Sequence, residues 1–149
     1  MVLLLEWNRD DITADIDAAF GVHPDLRSQL GIYICMGRGA YYSRSLKHKL
    51  NTKRLTEAEL VAVNDSIVQV LWTRYFMLAQ GYKIRETKVF QDNISAILLA
   101  KHGKESSGRR IRHLDVRYIF IKDQIDSGEI TMVCEPREDL MADYFTKAL

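Results

Sequence analysis

Residues 12–20 read ITADIDAAF, and this stretch indicates the kind of fold that the chain adopts. Apolar and polar residues alternate along it, which is typical of a half-buried β-strand. Asp17 stands near the end of this predicted strand, on the face opposite to the apolar one. Because aspartate is depleted in strands, Asp17 is the first candidate functional residue. The apolar face carries Ile12, Ala14, Ile16, Ala18 and Phe20.

The next segment predicts a β-hairpin that continues the sheet. Turn-forming residues occur within 21–28, and the runs GIYICM (31–36) and AYYSRS (40–45) then flank a glycine-containing turn at 37–39. Two β-rich runs separated by such a turn are typical of paired antiparallel strands. We therefore expect three antiparallel strands in series at the start of the domain.

After the hairpin, helices and strands alternate. Apolar residues follow a helical period over residues 56–80, and Gly81 is placed to end that helix. Right-handed crossovers make strands one, four and five parallel, so we expect an α/β domain with a five-stranded mixed sheet. The later predicted elements are a strand at 87–92, a helix at 94–101, a surface loop at 101–109, a helix at 111–125, a strand at 129–134 and a final helix that begins at Pro136.

Four acidic residues lie at the edges of these predicted elements: Asp17, Glu59, Asp92 and Asp143. Ligands collect at the carboxyl ends of parallel strands, where Asp17 and Asp92 are expected to lie. Carboxylates that converge in a fold repel one another unless cations lie between them. If the four side chains meet, the sequence predicts a divalent metal site.

Each acid also has a local interpretation that needs no metal. Thr56 and Glu59 have the spacing of a helix capping box, and either Asp92 or Asn93 can cap the helix that follows. Asp143, on the final helix, is most simply a solvated acid. Whether the four side chains converge decides between these interpretations and the metal site.

Length and composition indicate one globular domain. The chain has 149 residues, of which 47% are hydrophobic and 28% are charged, as in ordinary globular proteins. No apolar run approaches the ~20 residues that a membrane helix needs. The opening MVLLLEW lacks the features of a secretory signal. We expect an intracellular protein whose domain spans residues 12–149, preceded by a residual connection segment over residues 1–11.

Positive charge is concentrated in two stretches, although the net charge of the chain is only +1. Residues 38–54 contain no acidic residue, and residues 101–117 contain only Glu105 and Asp115. Clustered lysine and arginine side chains bind nucleic-acid phosphates, but such stretches are also common on solvated surfaces. The predicted nucleic-acid contacts are Arg44, Lys47, Lys49, Asn93, Arg110, Arg112, His113 and Arg117.

Taken together, these motifs resemble one known family. The chain is similar, from about residue 12 to residue 149, to the ribonuclease H domain at the carboxyl end of the Pol polyprotein of copia-type retrotransposons. Each motif is weak alone, but their order and spacing are specific. The matching stretches are IDAAF (16–20), NTKRLTEAELVAV (51–63), QDNISAILLAK (91–101), RHLDVRYIFIKDQIDSGEI (112–130) and DLMADYFTKAL (139–149).

The resemblance implies a ribonuclease H-like fold, with strand order 3-2-1-4-5 and flanking helices. It implies hydrolysis of the RNA strand of RNA/DNA hybrids during reverse transcription, with two Mg²⁺ ions about 4 Å apart and Mn²⁺ as a substitute. Asp17, Glu59, Asp92 and Asp143 are the implied catalytic acids. In this scheme Asp17 bridges both ions, Asp143 helps to hold the ion on the water side, and Glu59 and Asp92 hold the ion on the leaving-group side.

The implied partners are the RNA/DNA hybrid and the reverse transcriptase domain of the same polyprotein, with no membrane. The implied location is a cytoplasmic retroelement particle or the nucleus. Cellular relatives carry a histidine in the loop after strand five, where this chain reads CEPRED (134–139). Glu135, Arg137 and Glu138 are therefore the candidates to assist the reaction from that loop.

Two other functions remain open. One is a ribonuclease H fold that has lost turnover and only binds nucleic acid or a reverse transcriptase. The other is a nuclease of the same fold that acts on DNA, as integrases and resolvases do. Glu59 at the start of the long helix favours the hybrid nuclease over the DNA nuclease.

Overall fold

In the computed structural model, which describes residues 10–49, 52, 54–102 and 112–147, a five-stranded sheet lies between helices on both of its faces. The elements in chain order are β1 (Asp11–Ala19), β2 (Gln29–Met36), β3 (Gly39–Lys47), α1 (Leu55–Ala79), β4 (Glu86–Gln91), α2 (Ile94–His102), α3 (Arg112–Asp126), β5 (Thr131–Cys134), a 3-10 turn (Arg137–Asp139) and α4 (Asp143–Thr146).

The sheet has the order β3-β2-β1-β4-β5. β1 pairs with β2 and β2 with β3 in antiparallel fashion, whereas β1 with β4 and β4 with β5 are parallel. This confirms the predicted mixed sheet, its strand order and the three parallel strands. The hairpin between β2 and β3 lies where the sequence predicts it.

Alternation along β1 places one set of side chains in the core. Ile12, Ala14 and Ile16 are fully buried beneath α1, which in turn packs against α2 and α3. Burial of each isoleucine contributes roughly 1.5–3 kcal/mol relative to exposure. β1 is thereby fixed at the centre of the sheet, and its odd-numbered residues face the opposite side.

The end of α1 follows from Gly81, as the sequence predicts. Gly81 has a φ of +86°, a left-handed conformation that glycine adopts without steric cost. Its N–H donates to Leu78 C=O at 3.0 Å, and the Tyr82 N–H donates to Met77 C=O at 3.1 Å. These are the two hydrogen bonds of a Schellman motif, which turns the chain from α1 towards β4.

α4 lies on the other face of the sheet, against β1, β2 and β3. Its close approach depends on Gly31 in β2, because a Cβ there would overlap the Ala142 carbonyl oxygen and lie 2.9 Å from Thr146 Cγ2. The Phe145 ring stacks on Tyr33 with ring centroids 6.1 Å apart. Ser45 Oγ donates a hydrogen bond to Phe145 C=O. The sheet therefore holds this short helix tightly.

The final helix differs from the prediction. A continuous helix from Pro136 is wrong, since the chain forms a 3-10 turn, a break at Leu140 and then the short α4. Leu140 is buried in an extended conformation, with φ −77° and ψ 111°. The Met141 N–H donates to the Asp15 carboxylate at 3.1 Å rather than to a helical carbonyl. Burial of Leu140 and this side-chain bond interrupt the helix.

The predicted ends of β5 and α2 also differ from those in the structure. β5 begins at Thr131 rather than at residue 129, because the Glu129 and Ile130 N–H groups bond to Gln124 C=O at the end of α3. α2 extends to His102, and residues 103–109 of the predicted loop lie outside the described residues, as do Arg110 and Ile111.

The predicted connection segment over residues 1–11 falls almost entirely on residues 1–9, which are outside the described ranges, and it stays a prediction. β1 begins within it, at Asp11. Among the helices that the described residues form, none has the length and apolar character needed to cross a bilayer.

Candidate active site

The parallel pairing of β1 and β4 brings two of the four acids to the same level. Asp15 of β1 lies opposite Phe90 of β4. Asp17 is two residues beyond Asp15, and Asp92 is two residues beyond Phe90, so both carboxylates stand at the carboxyl ends of adjacent strands. This is the edge at which parallel strands collect ligands.

α1 supplies the third carboxylate. Glu59 lies in the second turn of α1 and is 2% exposed. Carboxylate oxygens of Asp17, Glu59 and Asp92 all lie within 4.8 Å of one another. An adjoining cleft of about 250 Å³ is lined by Asp17, Ala18, Leu55, Glu59, Asp92, Asn93 and Arg137.

The capping-box interpretation of Glu59 is wrong. The N-cap of α1 is Arg54, and no side chain caps it. The Glu59 carboxyl instead accepts a hydrogen bond of 2.6 Å from Gln91 Nε2. Gln91 is the last residue of β4 and is fully buried, so this bond aims Glu59 at the ends of the strands.

Asn93, rather than Asp92, caps α2. Asn93 Oδ1 accepts a hydrogen bond of 3.1 Å from the Ala96 N–H, which is the usual bond of an N-cap side chain to the third residue of its helix. The Asp92 carboxylate lies in the cluster with Asp17 and Glu59. Two neighbouring polar residues thus have separate tasks.

Burial and mutual repulsion raise the pKa values of two acids of the cluster, Glu59 and Asp17. Burial, followed by the nearby charge of Asp17, raises the pKa of Glu59 to about 8 against an ordinary 4.5. Burial also raises the pKa of Asp17, while a hydrogen bond from Thr146 acts in the opposite direction. Carboxyls with raised pKa values that share one space are characteristic of sites that need a cation to ionise fully.

Asp143 is near this cluster but is paired with cations of its own. Its Oδ1 contacts Arg137, with Nε and Nη2 both at 2.8 Å, and its Oδ2 contacts Lys147 Nζ at 2.5 Å. Lys147 and then Arg137 lower the pKa of Asp143. Its charge acts on Asp17, adding to the rise in the pKa of that acid. All four predicted acids therefore share one end of the sheet, with the fourth in an ion-paired arrangement.

The sequence pattern missed two residues that shape the site: Gln91 orients Glu59, and Thr146 bonds to Asp17. Arg137, a candidate on the loop after strand five, lines the cleft. Asp15 has a structural task, because it accepts the hydrogen bond from the Met141 N–H at the break before α4. A contact between residues far apart in sequence produces no periodic pattern. Thr146 was therefore indicated only by its place in the DLMADYFTKAL stretch that carries the resemblance.

The predicted nucleic-acid contacts of the first basic stretch do not form a single surface. Arg44 and Lys47 both lie exposed on β3, but an odd spacing of three places them on opposite faces. Lys47 shares its face with Ser45 and pairs with Asp25 at 2.7 Å. Lys49 is exposed just beyond β3.

The remaining predicted contacts lie elsewhere. Arg110 is outside the described residues, whereas Arg112 and His113 belong to the first turn of α3. Arg117 is partly buried, and its Nη1 has no hydrogen-bond partner among the residues that the structure describes. Asn93 lines the cleft beside the acids. The role of each of these residues in nucleic-acid binding stays a prediction.

The donor set fits divalent ions. Magnesium and manganese prefer oxygen ligands, and every acidic side chain of the cluster offers carboxylate oxygen. The raised pKa of Glu59 fits the same interpretation, because a cation would favour the ionised carboxylate and displace its proton.

The protonation of Glu59 has a consequence for stability. Between its ordinary pKa of 4.5 and its folded pKa of about 8, the folded protein holds a proton that the unfolded chain has lost. Glu59 therefore stabilises the metal-free fold at low pH, and this contribution is lost as pH rises through about 8. Over this range the free energy of unfolding falls by up to about 1.4 kcal/mol for each pH unit, which is the slope of stability against pH. We expect urea unfolding in a chelator to show that Glu59→Gln removes this slope.

Glu57→Gln is the matched control, because Glu57 lies on the neighbouring turn of α1 outside the cluster. Glu57→Gln should retain the pH slope of the parent protein. An unchanged slope in Glu59→Gln would show that Glu59 titrates in its ordinary range.

Comparison with known proteins extends this description. No family model matches the chain. It is 27% identical over 147 residues to the retrovirus-related Pol polyprotein from transposon TNT 1-94 of Nicotiana tabacum, covering 99% of this chain and 10% of that protein. It is 28% identical over 150 residues to the retrovirus-related Pol polyprotein from transposon RE1 of Arabidopsis thaliana, with the same coverage. The chain thus spans about a tenth of the length of these curated relatives.

Solved structures share the fold at low sequence identity. LC11-RNase H1, isolated from compost, matches with a TM-score of 0.67 at 14% identity over 91% of this chain and 92% of that one. Its complex with an RNA/DNA hybrid matches with a TM-score of 0.61 at 14% identity over 90% and 92%. Prototype foamy virus protease-reverse transcriptase matches with a TM-score of 0.60 at 15% identity over 91% of this chain and 20% of that one. The chain therefore has the ribonuclease H fold and is similar in sequence to the retrovirus-related Pol polyproteins of plant transposons.

Proposed function

We propose that this chain is a metal-dependent ribonuclease H that hydrolyses the RNA strand of RNA/DNA hybrids. The observation that carries the proposal is the approach of the Asp17, Glu59 and Asp92 carboxylates to within 4.8 Å beside an open cleft. Carboxylates at such distances repel one another and destabilise a fold unless a positive charge from outside the chain neutralises them. A phosphodiester substrate with divalent cations brings that charge.

The four acids have distinct tasks in this proposal. Two divalent ions, Mg²⁺ or in its place Mn²⁺, supply an activated water and stabilise the departing 3′ oxygen when they are bound. Asp17 belongs to the cluster with Glu59 and Asp92, and the charges of Asp92 and Asp143 both act on its pKa. It is therefore the acid best placed to bind both ions. Asp143 would become the fourth ligand once its ion pairs with Arg137 and Lys147 break.

The proposed substrate is an RNA/DNA hybrid. LC11-RNase H1, which shares the fold, has been seen with an RNA/DNA hybrid. Recognition of such a hybrid relies on contacts to ribose 2′-hydroxyls and to phosphates. On this chain Lys47 projects on the same side of the sheet as Asp17, because both are in register with residues of β2 that face α4.

The biological setting is also a proposal. Similarity to Pol polyproteins of transposons favours a role in reverse transcription of a copia-type retroelement. The partner would be the reverse transcriptase domain of the same polyprotein. The setting would be a retroelement particle in the cytoplasm, or the nucleus.

One observation favours a second candidate function. Both carboxylate oxygens of Asp143 are occupied by the side chains of Arg137 and Lys147. If these ion pairs persist in the presence of metal and substrate, the site lacks its fourth ligand. The chain would then be a ribonuclease H fold that binds nucleic acid or a reverse transcriptase without turnover.

A substrate panel tests the proposed function. The full chain is incubated in Mg²⁺ with an end-labelled RNA/DNA hybrid, double-stranded DNA and double-stranded RNA of one sequence. We expect cleavage of the RNA strand in the hybrid only, because only the hybrid combines 2′-hydroxyls with a deoxyribose strand. Preferential cleavage of DNA would assign the chain to the DNA nucleases of this fold. Hybrid binding without cleavage would support the second candidate.

A further inference from the structure

Thr146 is a buried hydroxyl that contacts the most central acid of the site. It is the last residue of α4, is 1% exposed, and lies 129 residues away from Asp17 in sequence. Its Oγ1 lies 2.8 Å from Asp17 Oδ2 and 2.9 Å from the Asp143 carbonyl oxygen. A hydroxyl has one proton to donate, so these two acceptors compete for it.

The charge of Asp17 decides this competition. An ionised carboxylate accepts a stronger hydrogen bond than a neutral carbonyl does. When Asp17 is ionised, the Thr146 proton therefore points to Oδ2. This hydrogen bond holds the Asp17 carboxylate in one orientation.

Contacts of Thr146 and of the residues around it fix the position of the Thr146 side chain. Its Cγ2 lies close to Gly31 of β2, where no side chain intervenes. The neighbouring Phe145 is held by the Tyr33 ring and by the Ser45 hydroxyl. Asp15 holds the chain just before α4 through the Met141 N–H. The hydroxyl therefore approaches Asp17 from a rigid support, which keeps the carboxylate from rotating.

We propose that Thr146 is a positioning residue that sets the affinity of the site for divalent cations by fixing the orientation of the Asp17 carboxylate. This inference rests on the metal dependence within the proposed function. Hydrogen-bond partners of ligating side chains typically change metal affinity by about 10- to 100-fold when they are removed. Thr146 touches neither substrate nor ion in this account, and it acts through Asp17 alone.

Two substitutions at Thr146 separate the hydroxyl from the shape. Thr146→Val removes the hydroxyl but keeps the branched side chain, whereas Thr146→Ser keeps the hydroxyl. Calorimetric titration of the full chain with Mg²⁺ and with Mn²⁺ at neutral pH gives the dissociation constants. We expect Thr146→Val to bind about 10-fold more weakly or worse, and Thr146→Ser to lie closer to the parent than to Val. Thermal unfolding in a chelator verifies that both variants fold.

Hybrid cleavage supplies a second readout. Because the deficit is one of metal affinity, raising the Mg²⁺ concentration should restore turnover in Thr146→Val, which a general folding defect would not allow. Equal dissociation constants for Thr146→Val and the parent would overturn the inference and leave the proposed function standing. A parent that binds the ions but does not cleave hybrid would refute the proposed function, while the comparison of dissociation constants still decides the role of Thr146.

Discussion

Asp92→Asn is expected to reduce hybrid cleavage by more than about 100-fold, since even the outer partners of metal ligands are worth about 10- to 100-fold. The substitution keeps the size of the side chain but removes one charge from the cluster with Asp17 and Glu59. Asn93 continues to cap α2, so the fold should be unaffected. Single-turnover cleavage of a labelled hybrid in Mg²⁺ measures the loss.

Binding of the hybrid should survive this substitution, because the contacts to its phosphates and sugars come from other residues. A filter-binding or anisotropy titration in Ca²⁺ separates binding from cleavage. Asp123→Asn, an exposed acid on α3, is the control and should behave as the parent does. Equal cleavage by Asp92→Asn and the parent would remove Asp92 from the metal site and would contradict the role proposed for the carboxylate cluster.

Gly31→Ala is expected to damage the site from a distance. The added Cβ would overlap the Ala142 carbonyl oxygen and crowd Thr146 and Phe145. α4 must then move by on the order of 1 Å to restore contact distances of about 3.5 Å. A displacement of this size can lower activity about 100-fold, whereas overpacking costs roughly 1–3 kcal/mol of stability. Cleavage rates and urea unfolding of the same protein measure both effects.

Gly81→Ala gives the matched comparison. At Gly81 a Cβ meets nothing within 4 Å, but the φ of +86° strains any other residue. This substitution should cost about 1–2 kcal/mol and leave the rate of cleavage by the folded protein unchanged. If Gly31→Ala lost stability but no activity, the position of α4 against the sheet would have no effect on cleavage.

The central part of the fold follows from local patterns that the sequence displays. Alternation along residues 12–20 predicts β1 correctly because one face of that strand is fully buried. The glycine-containing turn predicts the hairpin, and Gly81 predicts the end of α1. Right-handed crossovers then leave few arrangements for the parallel strands. The mixed sheet and its parallel strands were therefore predictable from these patterns, whereas the strand order came from the family resemblance.

The structure after Pro136 could not be predicted from local patterns in the same way. Pro136 and the spacing of apolar residues after it are compatible with one continuous helix, yet the side chain of Asp15 captures the Met141 N–H and interrupts it. This contact joins residues 126 positions apart. No pattern within a short window reveals such a bond, and the same reason hides the contact between Thr146 and Asp17.

Among the four acids, some features could be predicted from the sequence and others could not. Capping spacing gave Glu59 a local explanation that the structure contradicts, because Gln91 bonds its carboxyl. The family resemblance named Glu59 as a catalytic acid, and Glu59 lies in the cluster with Asp17 and Asp92. Resemblance did not foresee that Arg137 and Lys147 pair with Asp143. Arg137 reaches Asp143 from the 3-10 turn that follows β5.

The most direct test of the account is Mg²⁺-dependent cleavage of a labelled RNA/DNA hybrid by the full chain and by Asp17→Asn. Asp17 is buried in the cluster with Glu59 and Asp92, and the charges of Asp92 and Asp143 both act on it, so we expect its carboxylate to be indispensable to the site. We predict cleavage by the parent that stops when Mg²⁺ is chelated, and no cleavage by Asp17→Asn, which should still fold. Cleavage that continues in Asp17→Asn, or that proceeds without divalent ions, would contradict the proposed metal site.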